Sequence, residues 1–150
     1  MMQTIKMDEN YFVGMSVPDA SEIDELAEQG FGSVANLREE GEEKEYLSPE
    51  EEADRVLRDG MEYFHSPVSA EALNEEQVDE FREAVSGMPK PVLIHCKSGK
   101  RSGAFTLMHA ASEQGQPGEE AVEQAESMGF ECENAEMEAF VKDYINRHNG

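Results

Sequence analysis

The sequence predicts an α/β domain of three layers, a mostly parallel central sheet flanked by helices, and two observations carry that prediction. Short apolar runs alternate with longer segments whose apolar residues recur at helical spacing. Most of the helical segments also open on a capping residue or close at a glycine, which marks the boundaries. Such alternation requires crossover connections, and these lay strands parallel and put helices on the sheet faces. At 150 residues, residues 1–150 read as a single domain able to bury most of its apolar surface.

Tyr11-Phe12-Val13 is the first strand candidate. Pro18-Asp19-Ala20-Ser21-Glu22 then starts a helix with Ile23, Leu26 and Ala27 on one face, closed by Gly30. Ser33 to Leu37 is a strand that delivers Arg38 and a charged loop from Glu39 to Tyr46. Ser48-Pro49-Glu50-Glu51 combines an N-cap, a proline at the first helical position and acids on the first turn, and its helix runs to about Asp59 before Gly60. Met61 to His65 is the next strand, followed by a loop through Val68 to Leu73. Asn74 caps a helix that turns Val78, Phe81 and Val85 inward, and Gly87-Met88-Pro89 ends it.

An apolar strand, Pro91 to His95, then runs into Cys96-Lys97-Ser98-Gly99-Lys100-Arg101-Ser102-Gly103 and a helix from Ala104 to Ser112. Two further helices are expected, from about Gly118 to Met128 and from Glu136 to Arg147. No internal repeat or low-complexity linker is present.

Charge excludes several classes of partner. Lys and Arg total 12 against 34 Asp and Glu, a net charge of -22, so nucleic acid and anionic membrane surfaces would be repelled. The acidity is spread through periodic segments, which suits a folded domain in a high-salt cytoplasm and predicts a halophilic host. Four of the 12 cations, Lys90, Lys97, Lys100 and Arg101, nevertheless fall within twelve residues. That concentration favours a small anionic or phosphorylated substrate entering a local site. No signal peptide or membrane-length apolar run is read, so the chain is expected to be soluble and cytoplasmic. His65, His95, His109, His148 and the two cysteines show no metal-ligand spacing, and neither metal nor cofactor is expected.

A strand, a loop of Ser, Gly and cations, and a helix in succession make an anion-binding bowl of backbone N–H groups. A cysteine on its rim, beside Lys97, Lys100, Arg101 and the hydroxyl of Ser102, is favoured as the nucleophilic thiolate. His95 is read as orienting the loop. Cys132, between Glu131 and Glu133, reads as a bystander whose pKa its carboxylate neighbours raise. A thiolate with an Arg closing such a loop suits two reactions, phosphoryl transfer through a cysteinyl-phosphate and sulfur transfer through a persulfide. Only four residues separate Cys96 from Arg101. Cysteine phosphatases have five there, and the shorter loop is similar to that of many rhodaneses.

The flanking segments point to the phosphatases. Gly30-Phe31-Gly32-Ser33-Val34-Ala35-Asn36-Leu37-Arg38, the downstream Gly41-Glu42-Glu43, Gly60-Met61-Glu62-Tyr63 with Pro67-Val68, and Pro91 to Ser102 together resemble the beta-lactamase-hydrolase-like phosphatase family, relatives of the dual-specificity protein phosphatases. The resemblance covers roughly Tyr11 to Ala111. It implies the dual-specificity phosphatase fold, with Cys96 as nucleophile, Arg101 as phosphate clamp, and Ser102 as partner of the thiolate in the hydrolytic step. Lys97, Ser98, Gly99, Lys100 and Arg101 would form the phosphate loop, with Arg38 as a second anion contact. One departure stands out: the Asp general acid of dual-specificity phosphatases has no counterpart in Ser66-Pro67-Val68-Ser69-Ala70-Glu71. Glu71 is the nearest substitute. Loss of the acid would cost on the order of 10²–10⁴ in rate. The sulfurtransferase and a catalytically weak oxyanion binder remain as alternatives.

Overall fold

The computed structural model describes residues 2–39 and 46–148. Five strands lie in one sheet: β1 (Thr4–Lys6), β2 (Tyr11–Gly14), β3 (Ser33–Asn36), β4 (Glu62–His65) and β5 (Val92–His95), in the order β1-β2-β5-β3-β4. All pairings are parallel except β1 with β2. The mostly parallel sheet was expected, but β1 was not. Thr4-Ile5-Lys6 is only three residues long and presents an exposed, half-buried, exposed pattern at the sheet edge, too short to show a period.

Alternation along the central strands divides the core between the two faces. Val92 and Ile94 join Val13 and Ala35 on one side, while Leu93 joins Val34 on the other. The second face is covered by α1 (Ala20–Glu28) and α2 (Pro49–Arg58) through Ile23, Leu26 and Val56. The first is covered by α3 (Glu75–Ser86), α4 (Lys100–Gln114), α5 (Gly118–Ser127) and α6 (Ala135–His148). Three layers result, and none of the described helices is long and apolar enough to cross a membrane.

Local signals explain where the helices begin. Asp19 and Glu22 form a reciprocal capping box on α1, Ser48 and Glu51 form another on α2, and Asn74 accepts from the Gln77 N–H of α3. The helix after the cysteine differs from its sequence reading. It begins at Lys100 rather than Ala104, with Gly99 at its N-cap. Gly99 has φ of 89°, which a residue with a Cβ adopts only under strain, and this lets the chain turn from loop to helix within one residue. Buried side chains run from Arg101 to Ser112, because α4 packs on the sheet and is surrounded by α3, α5 and α6.

Register brings the C-terminal ends of three strands level. Asn36 of β3 pairs with both His65 of β4 and His95 of β5, so the residues that follow all emerge on one rim of the sheet.

Candidate functional site

Cys96 leaves the end of β5 and is almost fully buried, with 1% of its surface exposed. Its Sγ lies 3.4 Å from Ser102 Oγ, and the Ser102 backbone N–H points to it at 3.5 Å. The sulfur therefore sits against the N-terminal turn of a fifteen-residue helix, where unpaired N–H groups and the helix dipole favour negative charge. Thr106 Oγ1 donates to the Ser102 carbonyl at 2.7 Å and ties that turn down.

Arg101 is 9% exposed and donates from Nη1 to the Val68 carbonyl at 2.9 Å. This bond fixes the guanidinium and joins the cysteine loop to the connection that follows β4. Lys97, Ser98, Lys100 and Arg101 line an open depression of about 700 Å³, shared with Ser69, Ala70 and Glu71 of that connection. Glu39, just after β3, and Glu133, just before α6, complete the described lining. The sequence-derived loop residues and Glu71 thus meet at one place, with Gly99 buried in the turn behind them. Lys100 is not wholly given to the depression, because its Nζ donates to the Glu131 carbonyl at 2.8 Å.

Two expected site residues have other surroundings. Arg38 is 1% exposed and is not among the residues lining the depression. Its Nη1 donates to the Leu47 carbonyl at 2.9 Å, its carbonyl accepts from His65 Nε2 at 2.8 Å, and its guanidinium lies 5.8 Å from the centre of the Tyr46 ring. The charged loop expected between Glu39 and Tyr46, with the Gly41-Glu42-Glu43 match, falls mostly outside the described residues. His95 is fully buried, and its Nε2 lies 2.7 Å from Glu52 Oε2, also fully buried.

Glu52 is the functional-site neighbour that sequence reading missed. It stands one turn before Val56, on the face of α2 that packs against the sheet. A carboxylate in the apolar stripe of an amphipathic helix is the signal that could have revealed it. The polar cluster continues through Tyr63, whose hydroxyl accepts from Asn36 Nδ2 at 2.9 Å, and Asn36 Oδ1 accepts from the Arg38 N–H at 2.8 Å. Burial, and then the charge of Glu52, push the Tyr63 phenol well above its ordinary value. Tyr63 therefore stays neutral and serves as a hydrogen-bonding spacer between β3 and β4.

Cys132 is half-buried, and both cysteines are free thiols. Its thiol is pushed up to about 11, as the sequence suggested in direction but not in cause. Burial acts first, followed by Glu138 and Glu126, rather than the adjacent Glu131 and Glu133. Among the described residues no group of three or more His, Cys, Asp or Glu is arranged to hold a metal ion.

Residues 6–113 match the family described as beta-lactamase hydrolase-like protein, phosphatase-like domain. The beta-lactamase hydrolase-like protein of Xylella fastidiosa (strain Temecula1) is 32% identical over 96 residues, 64% of this chain and 22% of that protein. That of Agrobacterium fabrum is 30% identical over 106 residues, 71% of this chain and 24% of that protein. The chain thus spans about a quarter of the length of these relatives. Among solved structures, Tk-PTP in its active form superposes with a TM-score of 0.77 at 23% identity, covering 96% of each chain. Pseudomonas TpbA, in a cysteine-to-serine form in complex with pTyr, gives a TM-score of 0.74 at 18% identity, covering 96% of this chain and 88% of that one. The three-layer arrangement is therefore that of the protein-tyrosine-phosphatase-like enzymes.

Proposed function

Because the chain belongs to the phosphatase-like domain family of the beta-lactamase hydrolase-like proteins, we propose that it is a metal-independent cysteine phosphatase acting on phosphomonoesters. The observation that carries this reading is the placement of Cys96 Sγ within 3.5 Å of both the hydroxyl and the N–H of Ser102, at the head of a helix whose first turn also holds Arg101.

In the first step the Cys96 thiolate attacks phosphorus, forming the S–P bond as the ester P–O bond breaks. The backbone N–H groups of the loop and the Arg101 guanidinium hold the equatorial oxygens, where charge is spread in the transition state. Glu71 supplies the proton that the departing alkoxide needs. In the second step water attacks the cysteinyl-phosphate, Glu71 takes its proton, and the S–P bond breaks. Sulfur leaves as thiolate, stabilised by the Ser102 hydroxyl, and inorganic phosphate departs. His95 takes no direct part in either proton transfer in this scheme. Its ring, held against Glu52, orients the backbone that enters the loop. Arg38, buried beside Leu47 and Tyr46, supports the rim from below.

The four-residue spacing between Cys96 and Arg101 favours a second reading, a sulfurtransferase that carries a persulfide on Cys96. The two separate in one experiment. Hydrolysis of p-nitrophenyl phosphate and sulfur transfer from thiosulfate to cyanide are measured in high salt for the wild type and Cys96→Ser. Phosphate release abolished by the substitution supports the phosphatase, whereas thiocyanate formation supports the persulfide carrier. Anion binding with neither reaction would mark an oxyanion-binding protein. The phosphatase reading is falsified if Cys96→Ser leaves hydrolysis untouched. A net charge of -22 on a folded domain supports a high-salt cytoplasm as the place where the reaction runs.

A further inference from the structure

The lining of the depression has an unusual composition for a ligand site. Pockets that take organic groups are mostly apolar, with a few polar residues to fix orientation. Here the described lining is charged or hydroxylated apart from Ala70, and no aromatic or branched aliphatic side chain is part of it. A substrate gains little there from burying apolar surface. Such a lining favours a hydrophilic group on the phosphate.

Charge says more about that group. Lys97, Lys100 and Arg101 stand on the loop, while Glu39, Glu71 and Glu133 enter the same depression from three other parts of the chain. Glu71 has a chemical task in the scheme above, but Glu39 and Glu133 have none. The position of Glu133 is nonetheless built. Phe130, 2% exposed, packs so closely on Gly103 of α4 that any Cβ there would collide with the ring. The Phe130 N–H donates to the Ala125 carbonyl at 3.0 Å, and Glu131 is tied to the loop by Lys100. On the other side, Asn134 accepts from the Met137 N–H at 2.9 Å at the start of α6. Glu133 therefore stands on a short wall anchored at both ends and bonded to the phosphate loop itself. This wall lies beyond residues 6–113, the part of the chain that matches the family.

We propose that Glu133 is a specificity residue, and that the substrate is a phosphomonoester carrying a cationic amine close to the phosphate. The dianionic phosphate occupies the loop, and the ammonium group lies against the Glu133 carboxylate, so each end of a zwitterion meets its opposite charge. A phosphate on a neutral or acidic carrier fills the loop but meets an unfavourable carboxylate at the rim. The inference rests on the phosphate-loop reading of Cys96 to Ser102, but its test does not depend on turnover. The amine can belong to a small aminoalkyl phosphate or to a lysine beside a phosphorylated residue, and both present the same pair of charges.

The test compares two phosphonates of nearly equal size, 2-aminoethylphosphonate and n-propylphosphonate, by calorimetric binding to wild type and Glu133→Gln at the lowest salt that keeps the native circular dichroism spectrum. We expect the amine to bind about fivefold more tightly to the wild type, the upper range for one exposed ion pair, and Glu133→Gln to remove most of that ratio. Equal binding of the two phosphonates, or a preference unchanged in Glu133→Gln, overturns the proposal. A pair of phosphopeptides with Lys or Ser next to the phosphorylated residue gives the second arm. A Lys preference that depends on Glu133 assigns a peptide source, and its absence beside a preference for the aminophosphonate assigns a small molecule. Failure of phosphatase activity is read separately, from p-nitrophenyl phosphate.

Discussion

Replacing Glu52 by Ala removes one half of a hydrogen-bonded pair in which both side chains are fully buried. His95 Nε2 is then left in the core without its carboxylate acceptor. Breaking a buried pair from one side costs about 3–5 kcal/mol. Glu52→Gln keeps an oxygen of similar position and loses only the charge assistance, which amounts to about 1–2 kcal/mol. Urea unfolding followed by circular dichroism reads both. With a slope of roughly 1.5 kcal/mol/M, the midpoint should fall by about 2–3 M for Ala and by about 1 M for Gln. The loss should persist in 2 M KCl, because a pair sealed from solvent is not screened. Glu51→Ala, which removes an exposed carboxylate of the α2 capping box, is the internal control and should cost about 1 kcal/mol or less. A midpoint shift below about 0.5 M for Glu52→Ala would refute the assignment of Glu52 as the buried partner of the histidine beside Cys96.

Three further outcomes are expected. His109 is held down to about 4 by burial first, and then by Arg82 and Lys90, against an ordinary value of 6.5. The unfolded chain takes up this proton before the folded one does, so the stabilisation is complete above about pH 6.5 and is lost as pH falls toward 4. Roughly 3 kcal/mol is at stake. It appears as a pH-dependent difference in unfolding free energy between wild type and His109→Gln, and parallel curves would contradict it. Gly103→Ala drives a methyl group into the Phe130 ring and should destabilise by about 1–3 kcal/mol; an unchanged melting temperature would show that the wall before α6 yields freely. Screening of the net charge of -22 should raise the unfolding midpoint between 0.1 M and 2 M KCl, whereas a midpoint indifferent to salt would remove the argument for a halophilic setting.

Three consecutive glutamates show how much of the molecule was legible in the sequence. Glu50 and Glu51 read as acids on the first turn of a helix, and Glu52 joins them there in the structure. Yet Glu51 caps the helix, while Glu52, one residue on, is buried beneath the sheet. Helical periodicity places Glu52 on the face of Val56, but nothing local says that a histidine waits there, because His95 is 43 residues away. The strands, the caps and the cysteine loop were readable because each depends on neighbours in the chain. By contrast β1, with three residues and one half-buried side chain, carries no period to read. The early start of α4 turned on the backbone of a single glycine. Glu133 is held at the depression by the packing of Phe130 on Gly103 and the Lys100 bond to the Glu131 carbonyl, contacts that no spacing rule announces.

The order β1-β2-β5-β3-β4 puts the strand that ends at the cysteine in the middle of the sheet, hydrogen-bonded on both sides. Local opening free energies are lowest at edges and loop tips and approach the global value in such strands. Cys96 is thus carried by one of the last parts of the molecule to come apart, and β4, which carries the loop of Glu71, lies at the edge. Amide exchange at Leu93 and Ile94 should then follow complete unfolding, while Ala70 and Glu71 exchange through small local openings. In the proposed phosphatase, such an assembly would hold the attacking group still and let the proton donor adjust to the substrate that arrives.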